Sequence, residues 1–254
     1  MFARTSLVVL LAGLAAAQTT PSISTQCTTA LASILANSNA ASCLSLGDVI
    51  PVLTLSSNTS LIPSITTWLG DMCVAQACSN STLDSVTSSV IQGCQNDLIT
   101  NGVLPQGTTI SVSQAQQDVE IAYTPAREVV CSKSIGNWCL INTLTSIQTL
   151  IGAPLSEATL FSADWTQLAS TLDTSSLCTD CNQAAYATLR TPLNLQGTPI
   201  ETVISNRCGS TFVSGSVPAD VTLGGVTTTH SGAEAVRAAL AGLLGTAGIA
   251  ALLF

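Results

Sequence analysis

The chain is predicted to be all-α: two related, disulfide-braced helical halves forming one ectodomain, followed by a flexible Ser/Thr/Gly-rich C-terminal stalk. Three observations lead there. Ten cysteines fall into a duplicated order of single, single, close pair, single: Cys27, Cys43, Cys73, Cys78 and Cys94, then Cys131, Cys139, Cys178, Cys181 and Cys208. Between them, apolar residues recur at helical spacing behind Ser, Thr and Asp at cap positions. Only 4% of the 254 residues are aromatic, so a core of Leu, Ile, Val and Ala needs covalent bracing. Closing a loop as long as Cys27 to Cys94 contributes about 4 kcal/mol in the chain-entropy model.

Residues 1–17 read as a secretory signal peptide. Arg4 supplies the positive start, Leu7 to Leu14 a short apolar run, and Ala15-Ala16-Ala17 the small residues before Gln18, where the mature chain is expected to begin. The run is too short to span a bilayer, which takes roughly 20 residues. At the other end, Ala238 to Phe254 is apolar, and no Lys or Arg follows it. A stop-transfer helix carries a basic flank; small residues, a polar spacer and an apolar tail mark a glycolipid attachment signal instead. Ser231-Gly232-Ala233 supplies the small residues, making Ser231 the expected anchor position immediately before a 232–254 signal, with Gly224 or Gly225 as the upstream alternative and a plain single-pass helix as the competing reading.

The first half, 18–100, opens with a helix from Ser24 to Ala36, capped by Ser24 or Thr25 and stopped at Asn37, with Cys27, Leu31, Ile34 and Leu35 on one face. Leu44 to Leu55 follows as short or broken turns because of Gly47 and Pro51. A helix then starts near Pro63 and turns Ile65, Trp68, Leu69 and Met72 inward. Beyond the Cys73/Cys78 pair, Ser81-Thr82-Leu83-Asp84 resembles a capping box opening a stripe of Leu83, Val86, Val90, Ile91 and Cys94. The segment 101–130 is expected to connect the halves, with turn signals at Asn101-Gly102, Pro105 and Gly107, a brief strand at Thr109-Ile110-Ser111-Val112, and a helical turn from Gln114 that Pro125 interrupts.

In the second half, 131–212, Leu140, Leu144, Ile147 and Ile151 share a helical face, and a helix capped by Ser162 carries Trp165, Leu168, Ala169 and Leu172. Thr179 and Asp180 open another helix through Tyr186 and Leu189. Thr198-Pro199-Ile200-Glu201 starts a last one that buries Ile200, Val203, Ile204 and Cys208. Helical periodicity ends at Gly209, and residues 213–231 read as the stalk.

Composition excludes several kinds of chemistry. Between Gln18 and Ser231, Arg127, Lys133, Arg190 and Arg207 face thirteen acidic residues, a net charge of −9, so nucleic acid is not an expected partner. Charged residues make up 8% of the chain against about 25% in ordinary soluble domains, and Ser and Thr supply the polar surface. The sequons Asn58-Thr59-Ser60 and Asn80-Ser81-Thr82 make Asn58 and Asn80 candidate glycosylation sites. The only histidine, His230, falls at the processing site, which removes Ser-His, Cys-His and histidine-metal arrangements. Cys178-Thr179-Asp180-Cys181 has the spacing of a redox or zinc half-site, but an even cysteine count in a secreted chain favours structural bonds. Asp164 and Asp173 are read as helix-face acids rather than an acid-base pair. Trp68, Trp138, Trp165, Tyr123 and Tyr186 are read as core filling rather than a ligand lining. No catalytic residue, cofactor or metal site is expected.

Thr25-Gln26-Cys27-Thr28-Thr29-Ala30-Leu31-Ala32-Ser33-Ile34-Leu35 and Met72-Cys73-Val74-Ala75-Gln76-Ala77-Cys78 resemble elicitins, secreted helical sterol-binding proteins of oomycetes, over Thr25 to Cys94. The resemblance implies first-to-fifth and second-to-fourth pairing, Cys27–Cys94 and Cys43–Cys78, and a third-to-sixth bond whose sixth cysteine has no counterpart at the family's distance after Cys94. As a whole, the duplicated cysteine order and anchored end resemble glycolipid-anchored cysteine-rich surface proteins of filamentous fungi. Applying the first two rules to both copies adds Cys131–Cys208 and Cys139–Cys181, and leaves Cys73 to meet Cys178 across a pseudo-twofold axis. Two other pairings stay open: Cys73 to Cys131 with a re-paired second half, or direct bonds Cys73–Cys78 and Cys178–Cys181.

The expected role is that of a structural or interaction protein without catalytic activity, anchored through a glycolipid at the cell membrane or wall, with wall glycan or lipid as partner. An extracellular carrier of sterol or another lipid is the alternative.

Overall fold

The computed structural model describes residues 23–48, 58–101, 104–156, 159 and 173–224. The expected signal peptide, residues 49–55 of the expected broken turns, the helix expected from Ser162 with Asp164 and Trp165, His230, Ser231 and the apolar C-terminal run lie outside them. The described residues are mostly helical, joined by five disulfides and a three-stranded sheet of two-residue strands.

Helix α1 (Thr25–Ala36) begins where the Ser24 hydroxyl accepts from the Cys27 N–H, and ends at Asn37, whose side chain in turn caps α2 (Ser38–Cys43). Pro63 sits in the first turn of α3 (Ile62–Met72), which buries Leu69 and Met72. Helix α4 (Asn80–Thr100) is capped by Ser79 rather than by Ser81, and buries Thr82, Leu83, Thr87, Ile91 and Cys94. Antiparallel to it runs α1. The Ser24 N–H and hydroxyl grip the two Asp97 carboxylate oxygens at 2.8 and 2.7 Å, Cys27 bonds Cys94, and a Cβ on Gly93 would overlap the Ala30 methyl. This close approach uses the faces of Cys27 and Ile34, so Leu31 and Leu35, expected on the buried stripe, are exposed.

The largest departure lies in the expected connecting segment. Ser111 opens α5 (Val112–Val130), a single helix that continues through Pro125; the brief strand expected at Thr109–Val112 does not form. Proline in a helix interior removes one backbone bond, and packing on both sides outweighs that loss. Val119 and Tyr123 pack with Cys43, Cys78 and Leu83, whereas Val129 joins Ala185, Tyr186, Leu189, Leu195, Ile204 and Phe212. Thus α5 is a spine shared by both halves.

Strands β1 (Lys133–Ser134) and β2 (Asn137–Trp138) form a hairpin leading into α6 (Cys139–Ile151). Trp138, Leu140 and Ile141 pack on Leu69, Met72 and Cys131, merging the two halves. A second seam runs from the Leu61 N–H to the Leu155 carbonyl, 2.8 Å, and from the Ser60 hydroxyl to Gln148 Oε1, 2.7 Å. The short α7 (Thr174–Leu177) precedes α8 (Asp180–Leu189), capped by Thr179, and α9 (Pro199–Cys208), capped by Thr198. Of the expected α9 stripe, Val203 is exposed and Ile204 is buried.

The chain after Gly209 does not leave the body where the stalk was expected to begin. Phe212 is buried in the α8–α9 core, β3 (Val221–Thr222) pairs antiparallel with β1, and the Gly224 N–H bonds the Glu128 carbonyl at 3.2 Å. The aromatic ring of Phe212 and the open hydrogen-bonding edge of β1 hold this segment. Residues from 225 onward lie outside the described ones.

Candidate functional site

The five bonds are Cys27–Cys94, Cys43–Cys78, Cys73–Cys131, Cys139–Cys181 and Cys178–Cys208. The expected Cys73–Cys178 and Cys131–Cys208 bonds are therefore corrected, and the alternative of bonding close neighbours does not occur. The reason is the unbroken α5: it delivers Cys131, its C-cap, to within 5.5 Å (Cα–Cα) of Cys73 at the end of α3. Cys178 then meets Cys208 because α7 and α9 end side by side, 5.3 Å apart at these residues. Each member of a close pair goes to a different partner, leaving no dithiol or thiolate ligand set. All ten cysteines are bonded, and among the described residues no group of three or more His, Cys, Asp or Glu is placed to hold a metal.

Among the described residues, one polar centre gathers on Arg127, which the sequence shows only as one of few charges. Arg127, on α5, is buried and donates to the Cys43 carbonyl (3.3 Å), the Met72 carbonyl (2.6 Å), the Ala75 carbonyl and the Tyr123 hydroxyl (3.2 Å). Cys43 and Met72 are the last residues of α2 and α3, where helix carbonyls lack intrahelical donors and a positive charge is favourable. A single guanidinium, with five N–H groups in a planar fork, caps two helices and the turn between the close cysteines. The Tyr123 hydroxyl also accepts from the Cys78 N–H at 2.9 Å, extending the network to the second disulfide of that turn. The sequence signal for it is a tyrosine and an arginine four residues apart in a chain with few charges. On the same helix Asp118 is buried, its Oδ1 accepting from Gln114 Nε2 at 3.0 Å and its Oδ2 without a partner.

A second centre holds α8, α9 and the returning chain together. Tyr186, fully buried, donates its hydroxyl to Glu201 Oε1 at 2.8 Å; Arg190 lies 3.3 Å from the same oxygen and donates to the Ser214 carbonyl at 3.2 Å. The Gly197 N–H bonds Glu201 Oε2. That backbone donor first, and the Tyr186 hydroxyl second, hold the Glu201 carboxyl below its ordinary range. Burial, followed by the hydrogen bond to Glu201, pushes the Tyr186 hydroxyl up to about 12. Both effects favour the protonation states that make the bond, which is a structural function.

Among the described residues, Trp68 and Trp138 are likewise engaged. Trp68 Nε1 donates to the Leu44 carbonyl at 2.8 Å, and Lys133 Nζ stands 3.8 Å from the centre of the Trp138 ring. Asp173 caps α7, with its carboxyl held low by the Ser176 and Ser175 donors. Asn58 and Asn80 are both exposed; Asn80 is the first residue of α4. Two cavities, one lined by Leu177, Tyr186, Ile204 and Phe212 and the other by Val129, Leu140, Thr143 and Ala185, measure about 10 and 20 Å³, room for about one water each. No helix among the described residues is long and apolar enough to cross a membrane. No protein-family model, no curated protein and no solved structure matches this chain.

Proposed function

We propose that this chain is a structural or interaction protein of the cell surface or cell wall, carried through the secretory pathway, held by a glycolipid near Ser231, and without catalytic activity. The observation that carries this reading is where the reactive and charged groups are spent. Ten thiols are tied as disulfides, Arg127 caps helix ends, and Arg190, Glu201 and Tyr186 clamp the returning chain. What remains outside is a charge-poor Ser/Thr surface carrying Asn58 and Asn80, suited to glycosylation and to contact with wall glycan or lipid. The test is release of the protein from intact cells by phosphatidylinositol-specific phospholipase. Release is the expected result, and recovery of the peptide Ala238 to Phe254 from the mature protein would sink it.

The second reading, an extracellular carrier of sterol or another lipid, has one observation behind it. Cys27–Cys94, Cys43–Cys78 and Cys73–Cys131 reproduce the first-to-fifth, second-to-fourth and third-to-sixth order implied by the elicitin resemblance. A sterol needs a cavity of some hundreds of Å³, larger than either of the two cavities among the described residues. Native mass spectrometry of the protein isolated from its producing cells separates the two readings, because a co-purifying lipid mass supports the carrier.

A further inference from the structure

We propose that the β1–β2 hairpin tip is a lipid-contacting foot, with Ile135 inserted into the surface of the bilayer to which the chain is tethered and Val74 exposed near the root of the hairpin; this rests on the anchoring reading above. Ile135 and Gly136 form the turn with φ of 50° and 83°. A hairpin turn with positive φ at both central residues selects Asn or Gly at the first of them. A β-branched residue there is an outlier in backbone space, and strain of this kind is a pointer to function. Burial does not offset it, because Ile135 is 86% exposed. Val74 is 81% exposed and follows Cys73, whose bond to Cys131 places it beside the root of the same hairpin. Behind the tip stand Lys133 and Trp138, stacked on one another, the side-chain types that settle where lipid headgroups meet acyl chains.

The occupant is indicated by the distance along the chain from Gly224, the last described residue, to the proposed anchor. Gly224 is pressed against Cys131 so closely that a Cβ would overlap its carbonyl. Ile135 is four positions after Cys131, so the tip lies within about 14 Å of it. Ser231 is seven positions after Gly224, at most about 25 Å along the chain. Both spans together keep Ile135, a bare aliphatic side chain, within about 39 Å of the proposed anchor, within reach of the lipid surface. The acidic balance of the chain favours a zwitterionic lipid surface over an anionic one.

The test uses the full anchored protein, purified from producing cells and reconstituted into phosphatidylcholine vesicles with brominated acyl chains, which quench nearby tryptophan. Comparison with Trp138→Phe identifies the Trp138 share of the emission. Quenching of that share is expected, together with its loss in Ile135→Asn, whose melting temperature should stay level or rise because asparagine accepts the turn conformation. Loss of contact without loss of stability is an outcome that a merely structural isoleucine does not produce. Vesicle-bound protein with unquenched Trp138, or quenching unchanged in Ile135→Asn, overturns the foot while leaving anchoring intact. Protein that fails to float with the vesicles overturns the anchoring reading, and the foot with it.

Discussion

Arg127 solves a residue-scale problem that disulfides create. Cys43–Cys78 and Cys73–Cys131 pull the ends of α2 and α3 into the interior, where their last carbonyls lose water. An unpaired buried carbonyl costs about 1–3 kcal/mol, and three of them accept from this one side chain. Arg127→Met is therefore expected to lower unfolding free energy by about 3 kcal/mol or more, measured by urea titration with disulfides intact. Arg127→Lys should restore only part, since an ammonium cannot span the fork; a midpoint equal to wild type in the Met variant would remove the capping role. Gly93 poses the opposite problem, too little space. Adding a methyl group against Ala30 must part α1 from α4, and Gly93→Ala is expected to cost about 1–3 kcal/mol, read from the same titration.

At the scale of elements, caps account for where helices begin. Ser24, Ser79, Thr179 and Thr198 each accept an N–H from the first turn of the following helix. Thr198 does so beside Pro199 and in reach of the Glu201 N–H, while the Glu201 side chain turns back to Gly197 instead of closing the box on Thr198. Thr198→Ala is expected to cost about 1 kcal/mol. Because Glu201 also holds Tyr186 and Arg190, the loss should appear as faster amide exchange across α9 and residues 211–216, with α1 and α4 unchanged. Uniform acceleration over the whole chain would show that α9 is not a separable unit. Pro125 carries the complementary lesson: a breaker in the sequence was outweighed by a helix packed on two sides.

For the whole molecule, α5 makes one body of two cysteine sets, since Cys131 ends it and bonds back to α3. Non-reducing peptide mapping should recover Cys73 joined to Cys131 and Cys178 joined to Cys208; Cys73 joined to Cys178 would contradict the shared spine. Stability should also follow pH in a defined way. Glu201 lies below its ordinary 4.5, so its contribution is present above that value and is lost as pH falls through the lower folded value. Tyr186, raised to about 12, contributes below its ordinary 10 and loses that contribution as pH rises from 10 to 12. Asp97 and Asp173 are also held low, by Ser24 and by Ser176 with Ser175, and weaken in the same acid range. Glu128, raised by burial, opposes them, favouring the fold at low pH and losing that contribution as pH rises past its ordinary value. Glu201→Gln should flatten part of the acid limb of a urea-midpoint profile. An unchanged limb would assign the loss to the other carboxyls.

The helical class, the helix starts at Ser24, Thr179 and Thr198 and the presence of a disulfide framework were legible in the sequence alone, because these follow from local causes. A cap bonds its own first turn, helical spacing repeats every few residues, and an even cysteine count is read without any geometry. Which cysteine meets which depended on α5, whose continuation past Pro125 is a balance between one lost backbone bond and packing on two faces that only the assembled molecule contains. The same is true of Arg127 and of Leu31 and Leu35. Whether a side chain caps distant carbonyls, or an apolar stripe faces solvent, is decided by which other helices arrive beside it.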